Sequence, residues 1–295
     1  MRHAILGAGG VGLFVGGALA QAGGQVLLIL RPAALEEYPG GVHVESAVLG
    51  EFDVDVAASS RLDRSVDVLW VTVKAMHLED ALRLASPAVA PDAVVVPLLN
   101  GIDHVARLRE VYGDQVIPGA IRVESERTGP GYLVQTSPFA ATELGPPAAL
   151  RDRAEAVAGE LRGAGLKCTV RDGEAEVLWG KLALLAPIAL GTSSVRQALG
   201  TALGDQEVRA LMCDAVREVC AVAATEGARL DPDAITRALL GLPVEMRSSM
   251  QKDIAAGRQP ELDAIAGPVL RRGRKRGVPT PAVAELVRRI GLEAV

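Results

Sequence analysis

The first twelve residues constrain the fold more than any other stretch of this chain. Arg2-His3-Ala4-Ile5-Leu6 reads as a short, mostly apolar strand, and it runs directly into Gly7-Ala8-Gly9-Gly10-Val11-Gly12. Small and apolar residues in a helical pattern continue to about Ala22. A strand, a G-x-G-x-x-G turn and a helix, in that order, form the setting in which such glycines cradle a dinucleotide. There Gly7 permits the tight turn, Gly9 lets the backbone approach a pyrophosphate, and Gly12 lets helix and strand pack closely. Gly7, Ala8, Gly9, Gly10, Val11 and Gly12 are therefore the expected cofactor cradle. The pyrophosphate is expected on the free N–H groups at the helix N-terminus.

Gln25 to Leu30 (QVLLIL) has the continuous apolar character of a buried parallel strand and stops at Arg31-Pro32. Just beyond the second strand of a dinucleotide fold the adenine ribose is read. An acid there bonds the 2′-hydroxyl, whereas an arginine meets a 2′-phosphate. The nearest acids, Glu36 and Glu37, lie beyond Pro32, so Arg31 makes NADPH the expected cofactor.

Residues 40–58 alternate as VHVESAV and EFDVDVA, the pattern of a hairpin or paired strands. Asp67–Val73 and Ala93–Leu99 are further parallel strands, ending in Lys74 and in Asn100-Gly101, with helices over 77–85 and 102–111. Strands over 116–123 and 131–135, a helix over 152–164 and a last strand at Lys167–Val170 complete this half. The alternation predicts an α/β unit with a doubly wound, Rossmann-type sheet. From Glu174 onward the pattern is helical, over roughly 174–190, 205–226, 232–240, 245–256, 261–276 and 281–290. Asp231-Pro232 and Thr280-Pro281 are expected helix starts, with proline behind a capping residue. The division expected is an NADPH-binding domain over 1–172 and an all-helical substrate-binding domain over 173–295.

Composition narrows the function classes. The chain has 295 residues, 49% hydrophobic and 23% charged, with net charge -5, which is globular and argues against a nucleic-acid partner. Aromatics are only 3%, which leaves few platforms for stacking bases. Cys168, Cys213 and Cys220 form no CxxC and read as buried small hydrophobes, with no metal site expected. The apolar start opens straight into the glycine turn rather than into a signal peptide. The longest apolar run, Leu182–Leu190, holds Pro187 and is too short for a bilayer, so a cytoplasmic location with no membrane contact is expected. Arg271-Arg272-Gly273-Arg274-Lys275-Arg276 reads as a solvated helix face.

Ligands of open α/β sheets sit beyond the carboxyl ends of the strands, where Lys74 and Asn100 stand. Lys74 can touch the cofactor or a substrate anion, and Asn100 can donate and accept near the nicotinamide; the alternatives are a surface lysine and a turn asparagine. Lys181, in EVLWGKLA, is a lysine amid apolar neighbours, either snorkelling or poised as a proton donor to a carbonyl. Glu261 opens a helix just after Pro260, where the helix dipole by itself favours an acid. Ser248 and Ser249 can cap a helix or bind a carboxylate.

Taken together these segments resemble the ketopantoate reductase (2-dehydropantoate 2-reductase) family along essentially the whole chain. The matching pieces are GAGGVG, Arg31, VTVKA around Lys74, LLNG around Asn100, EVLWGKLA around Lys181, SSMQKD around Ser249, PELDAIAG around Glu261, and RRGRKRGVPTP. The resemblance implies NADPH-dependent reduction of 2-dehydropantoate to (R)-pantoate, on the pantothenate route to coenzyme A. It implies that Lys181 protonates the ketone oxygen and that Glu261 orients the substrate and the lysine. It further implies Asn100 near the reacting centre, Lys74 at the cofactor and Ser249 on the substrate carboxylate. Two domains closing on a small 2-ketoacid, in a monomer or a homodimer formed through the helical domain, complete that expectation.

One departure bears on the substrate. Family members commonly carry KLxxNxxxN after the lysine, and here the asparagine positions are Leu185 and Ala189. Each lost hydrogen bond to a buried substrate group costs about 1–3 kcal/mol. Either Thr192, Ser193 or Ser194 compensates, or the substrate is a different, more apolar 2-ketoacid or ketone.

Overall fold

Strand β1 (Arg2–Leu6) is buried on both faces from His3 onward, as the central strand of a parallel sheet must be. In the computed structural model, which describes residues 1–292, it is flanked by β2 (Gln25–Ile29) and, through a crossover, by β6 (Val68–Val71). Between them the chain forms α1 (Gly10–Gln21), α2 (Pro32–Glu36), the antiparallel hairpin β3 (Gly41–Ser46) and β4 (Gly50–Asp55), and β5 (Ala57–Ser59). After β6 come α3 (Leu78–Leu82), β7 (Val94–Pro97) and α4 (His104–Tyr112). The first sheet has the order β5-β2-β1-β6-β7, all parallel, so Gly7, Arg31, Lys74 and Asn100 each follow the carboxyl end of one of its strands.

Beyond β7 the parallel sheet continues only as a single bridge, Val116 pairing parallel with Val95, rather than as the full strand that the alternation predicts over 116–123. β8 (Gly119–Arg122), β9 (Ser125–Gly129), β10 (Tyr132–Gln135), β11 (Ala141–Leu144), α5 (Arg151–Gly163) and β12 (Lys167–Val170) build two further sheets. β10 lies parallel to β3 and antiparallel to β9, giving the order β4-β3-β10-β9, while β11 joins β8 antiparallel and β12 parallel. Helix α1 is packed on two sides. A methyl at Gly16 would lie 3.2 Å from Ile5 of the first sheet, and one at Gly17 would lie 3.0 Å from Val44 of the second. A helix apolar all round is buried all round, and its small residues let both sheets approach.

The remaining helices are α6 (Glu174–Val195), α7 (Leu199–Gly204), α8 (Gln206–Thr225), α9 (Pro232–Leu240), α10 (Ser249–Ala255), α11 (Leu262–Arg276) and α12 (Pro281–Ile290). The chain divides into two compact units, Met1–Leu99 with His104–Val177, and Asn100–Asp103 with Leu178–Val295. Asn100–Asp103, inside the first 172 residues in chain order, packs with the helical unit. Among the described residues α6 is the one helix long and apolar enough to cross a membrane, longer than the run Leu182–Leu190 implies, and 72% of its most apolar stretch is buried within the protein.

Local signals were reliable at some helix ends and not at others. Asp231 accepts from the backbone N–H groups of Asp233 and Ala234, as its position before Pro232 predicts. Thr280 makes no side-chain cap. Instead the Glu218 carboxylate of α8 accepts from Ala282 and Val283 N–H at 2.7 and 2.9 Å and closes the start of α12 from another helix. Burial pushes the Cys168 and Cys220 thiols up to about 12 and about 11, as expected of inert core cysteines.

Candidate active site

The glycine turn is built as its spacing predicts, with reasons for each glycine that the motif does not show. Gly7 adopts φ 107°, open to glycine and little else, and the Thr72 hydroxyl donates to its carbonyl at 2.7 Å. A methyl at Gly12 would sit 1.9 Å from that carbonyl oxygen, so helix and strand can meet only through glycine. Gly10 is forced by a partner far along the chain, the Ser125 carbonyl of β9, 2.2 Å from where a Cβ would be. Around Gly9 nothing lies within 4 Å of a Cβ, and no side chain caps α1 there. An open cradle over uncapped helix N–H groups fits a dinucleotide pyrophosphate. Thr72, which pins the turn, stood in the sequence only as part of an apolar strand.

These differences separate packing from binding. Gly9→Ala is expected to fold with little change in stability yet weaken dinucleotide binding by about 1–3 kcal/mol. Gly12→Ala is expected to cost roughly 3 kcal/mol of stability through overpacking. Chemical denaturation and fluorescence titration of both variants check the contrast, and equal stability losses would contradict it.

Arg31 stands at the N-cap of α2, exposed, and its guanidinium meets no carboxylate among the described residues. Lys74 follows β6 at the start of a single 3₁₀ turn, half-buried. Ala8 and Val11, the other two residues of the turn, are both half-buried.

The helical unit gathers a second set of residues. Asn100 Nδ2 donates to Glu261 Oε2 at 3.0 Å, although the two are 161 residues apart. Glu261 is 8% exposed and, although it immediately precedes α11, its carboxylate does not cap that helix. The acid therefore stands where the helix dipole favours it, but its carboxylate accepts a hydrogen bond from Asn100 rather than from the helix N–H groups. Lys181 is half-buried on α6, beside Trp179 and Leu182 at 3% and 1% exposure. At 100° per residue, Lys181, Leu185, Ala189 and Thr192 share an arc of about 80° on that helix. Leu185 is half-buried, whereas Ala189 and Thr192 are fully enclosed.

The serine pair divides its work. Ser248 is buried, caps α10 by accepting from Gln251 N–H at 3.1 Å, and shares a 2.7 Å hydrogen bond with Thr192 Oγ1. Ser249 is exposed at the first position of that helix. Thr192 also donates to the Ile188 carbonyl and Ser194 to the Gly191 carbonyl, so both hydroxyls are committed to the fold. The Ser193 hydroxyl is buried with no hydrogen-bond partner among the described residues.

The basic run is a largely exposed helix face, as its composition predicts, but three of its arginines are also paired. Arg271 and Arg272 both pair with Asp103, and Arg272 and Arg276 with Glu226. Asp103 carried no signal in the sequence beyond following Asn100-Gly101 by two residues.

Comparison with known proteins extends these observations. Residues 3–149 match the family model described as ketopantoate reductase PanE/ApbA, and residues 175–292 match that of its C-terminal part. The 2-dehydropantoate 2-reductase of Mycobacterium tuberculosis (strain H37Rv) is 31% identical over 226 residues, 75% of this chain and 74% of its own. The chain belongs to the ketopantoate reductase family. A PanE/ApbA family ketopantoate reductase from Ralstonia eutropha JMP134 superposes with a TM-score of 0.87 at 30% identity, over 99% of this chain and 97% of that one. The complex of D-mandelate dehydrogenase with NADH superposes with a TM-score of 0.85 at 25% identity, over 99% and 98% of the two chains. As a ketopantoate reductase family member the chain is an oxidoreductase with the family's α/β and helical parts, and family members bind NAD(P)H.

Proposed function

We propose that this protein is an NADPH-dependent 2-dehydropantoate 2-reductase acting in the cytoplasm, on the pantothenate route to coenzyme A. The observation that carries this reading is the buried Glu261 carboxylate, held by Asn100 rather than by its own helix, in the unit that also carries Lys181. The turn from Gly7 to Gly12 holds the dinucleotide, with Arg31 on its 2′-phosphate and Lys74 at its edge. When bound, the nicotinamide supplies the hydride. Lys181 Nζ donates the proton that the ketone oxygen takes up as it becomes a hydroxyl. Glu261 accepts from Asn100 with one oxygen and orients Lys181 and the substrate hydroxyl. Ser249 hydrogen-bonds the substrate carboxylate.

A second reading rests on Leu185. It lies one helical turn, about 6 Å, from Lys181, and it is the partly exposed one of the two positions where the family commonly has asparagine. With Thr192 and Ser194 committed elsewhere, Ser193 is the remaining hydroxyl to compensate. An apolar side chain there favours a 2-ketoacid without the hydroxyl of 2-dehydropantoate, and the likeness to D-mandelate dehydrogenase supports that choice. NADPH oxidation with 2-dehydropantoate, 2-oxoisovalerate, pyruvate and phenylglyoxylate separates the two. The first reading expects 2-dehydropantoate to lead in kcat/KM, and a lead for 2-oxoisovalerate or phenylglyoxylate establishes the second. In either case Leu185→Asn is expected to shift the ratio towards 2-dehydropantoate by roughly tenfold, one buried hydrogen bond.

A further inference from the structure

Four residues of the turn after β7, Asn100–Asp103, pack as part of the helical unit, and the structure shows what holds them there. Gly101 takes φ 79°, and its Cα presses so closely on the first turn of α11 that a Cβ would lie 2.2 Å from the Ala264 carbonyl oxygen. At the far end of the turn Asp103 is gripped by two arginines from the middle of the same helix. Its Oδ2 meets Arg271 Nη2 at 2.7 Å and its Oδ1 meets Arg272 Nη1 at 2.6 Å. Burial by itself would push the Asp103 carboxyl up, but the two guanidinium groups outweigh it and hold the group below its ordinary value.

Neither arginine is an isolated clasp. Arg271 Nη1 also reaches Asp263 Oδ1 at 2.5 Å, two residues from Glu261. The Arg272 guanidinium lies 5.9 Å from the ring centroid of Trp179, two residues before Lys181 on α6, and its Nε is 3.6 Å from Glu226 at the end of α8. One guanidinium thus joins the turn bearing Asn100 and the helix bearing Lys181 to the helix that Glu261 opens. A planar, five-donor group suits that task as a lysine does not.

We infer that Asp103 is a positioning residue. With Arg271 and Arg272 it clamps the Asn100–Asp103 turn onto α11, so that the Asn100 amide is held against the Glu261 carboxylate. The clamp touches neither substrate nor cofactor and acts only through Asn100. This inference rests on the roles proposed above for Asn100 and Glu261. In a polar site a misplacement of an ångström costs turnover far more than it costs binding.

The test is a double-mutant cycle on the full chain, Asp103→Ala, Asn100→Ala and the pair, with NADPH and the keto acid that leads the panel. Each single variant is expected to lower kcat roughly ten- to a hundredfold with the Kd for NADPH unchanged. The pair is expected to be no slower than Asn100→Ala alone, because the clamp has nothing left to position. Asp103→Asn keeps the shape of the side chain and carries the same expectation if Asp103→Ala does not fold. Losses that multiply in the pair, or full turnover of the Asp103 variant beside a slowed Asn100→Ala, overturn the inference while leaving the site intact. Full turnover of Asn100→Ala overturns the site reading itself, and the inference with it.

Discussion

Replacing Lys181 with alanine is expected to lower kcat by about two to four orders of magnitude, the usual contribution of a positioned general acid. Affinity for NADPH is expected to stay essentially unchanged, because the glycine turn and Arg31 belong to the other compact unit. Alanine is the best helix former, and the site lies inside a helix of 22 residues, so the fold should not respond. Lys181→Arg sharpens the test. A guanidinium keeps the charge and much of the length but does not release its proton near neutral pH, so this variant is expected to be as slow as the alanine one. Steady-state oxidation at 340 nm beside a fluorescence titration checks both. Unchanged turnover in Lys181→Ala would remove the proton-donor role.

The second large effect is expected at Arg31. Charge-assisted hydrogen bonds to a 2′-phosphate are worth about 1.5–3 kcal/mol, so Arg31→Ala should weaken NADPH roughly ten- to a hundredfold and NADH hardly at all. The structure makes this a clean substitution. Arg31 precedes Pro32 and is held extended at φ -64°, ψ 150°, a conformation that alanine adopts equally well. Its guanidinium is in no ion pair among the described residues, so none is broken. Arg31→Asp should go further and favour NADH, since a carboxylate there bonds a free 2′-hydroxyl and repels a phosphate. Equal losses for the two cofactors in Arg31→Ala would show that the arginine does not read the phosphate.

What could be read along the chain was whatever depends on near neighbours. β1, β2, β6 and β7 are mostly apolar runs, and such runs have little choice but to be buried strands. The hairpin β3–β4 showed in its alternation, and Asp231 before Pro232 showed in its capping chemistry. β9 and β11 were not legible, because SERTG and ATEL carry no run of apolar residues. They are strands because partners were waiting, β10 for the first and β8 with β12 for the second.

The site divides along the same line. By itself the sequence determined the glycine turn between β1 and α1, Arg31 at the end of the second strand, and the order of motifs that carries the family. Each of these is a property of a few adjacent residues, set by backbone sterics and by the period of apolar side chains. Only the tertiary structure decided that Ser248 rather than Ser249 caps α10, and that Glu218 rather than Thr280 closes α12. It alone decided that Gly10 answers to Ser125, and that Asn100 meets Glu261 and Asp103 meets Arg271 across more than 160 residues. Those pairings arise when packed elements bring donors and acceptors together, and sequence spacing holds no record of distances through space.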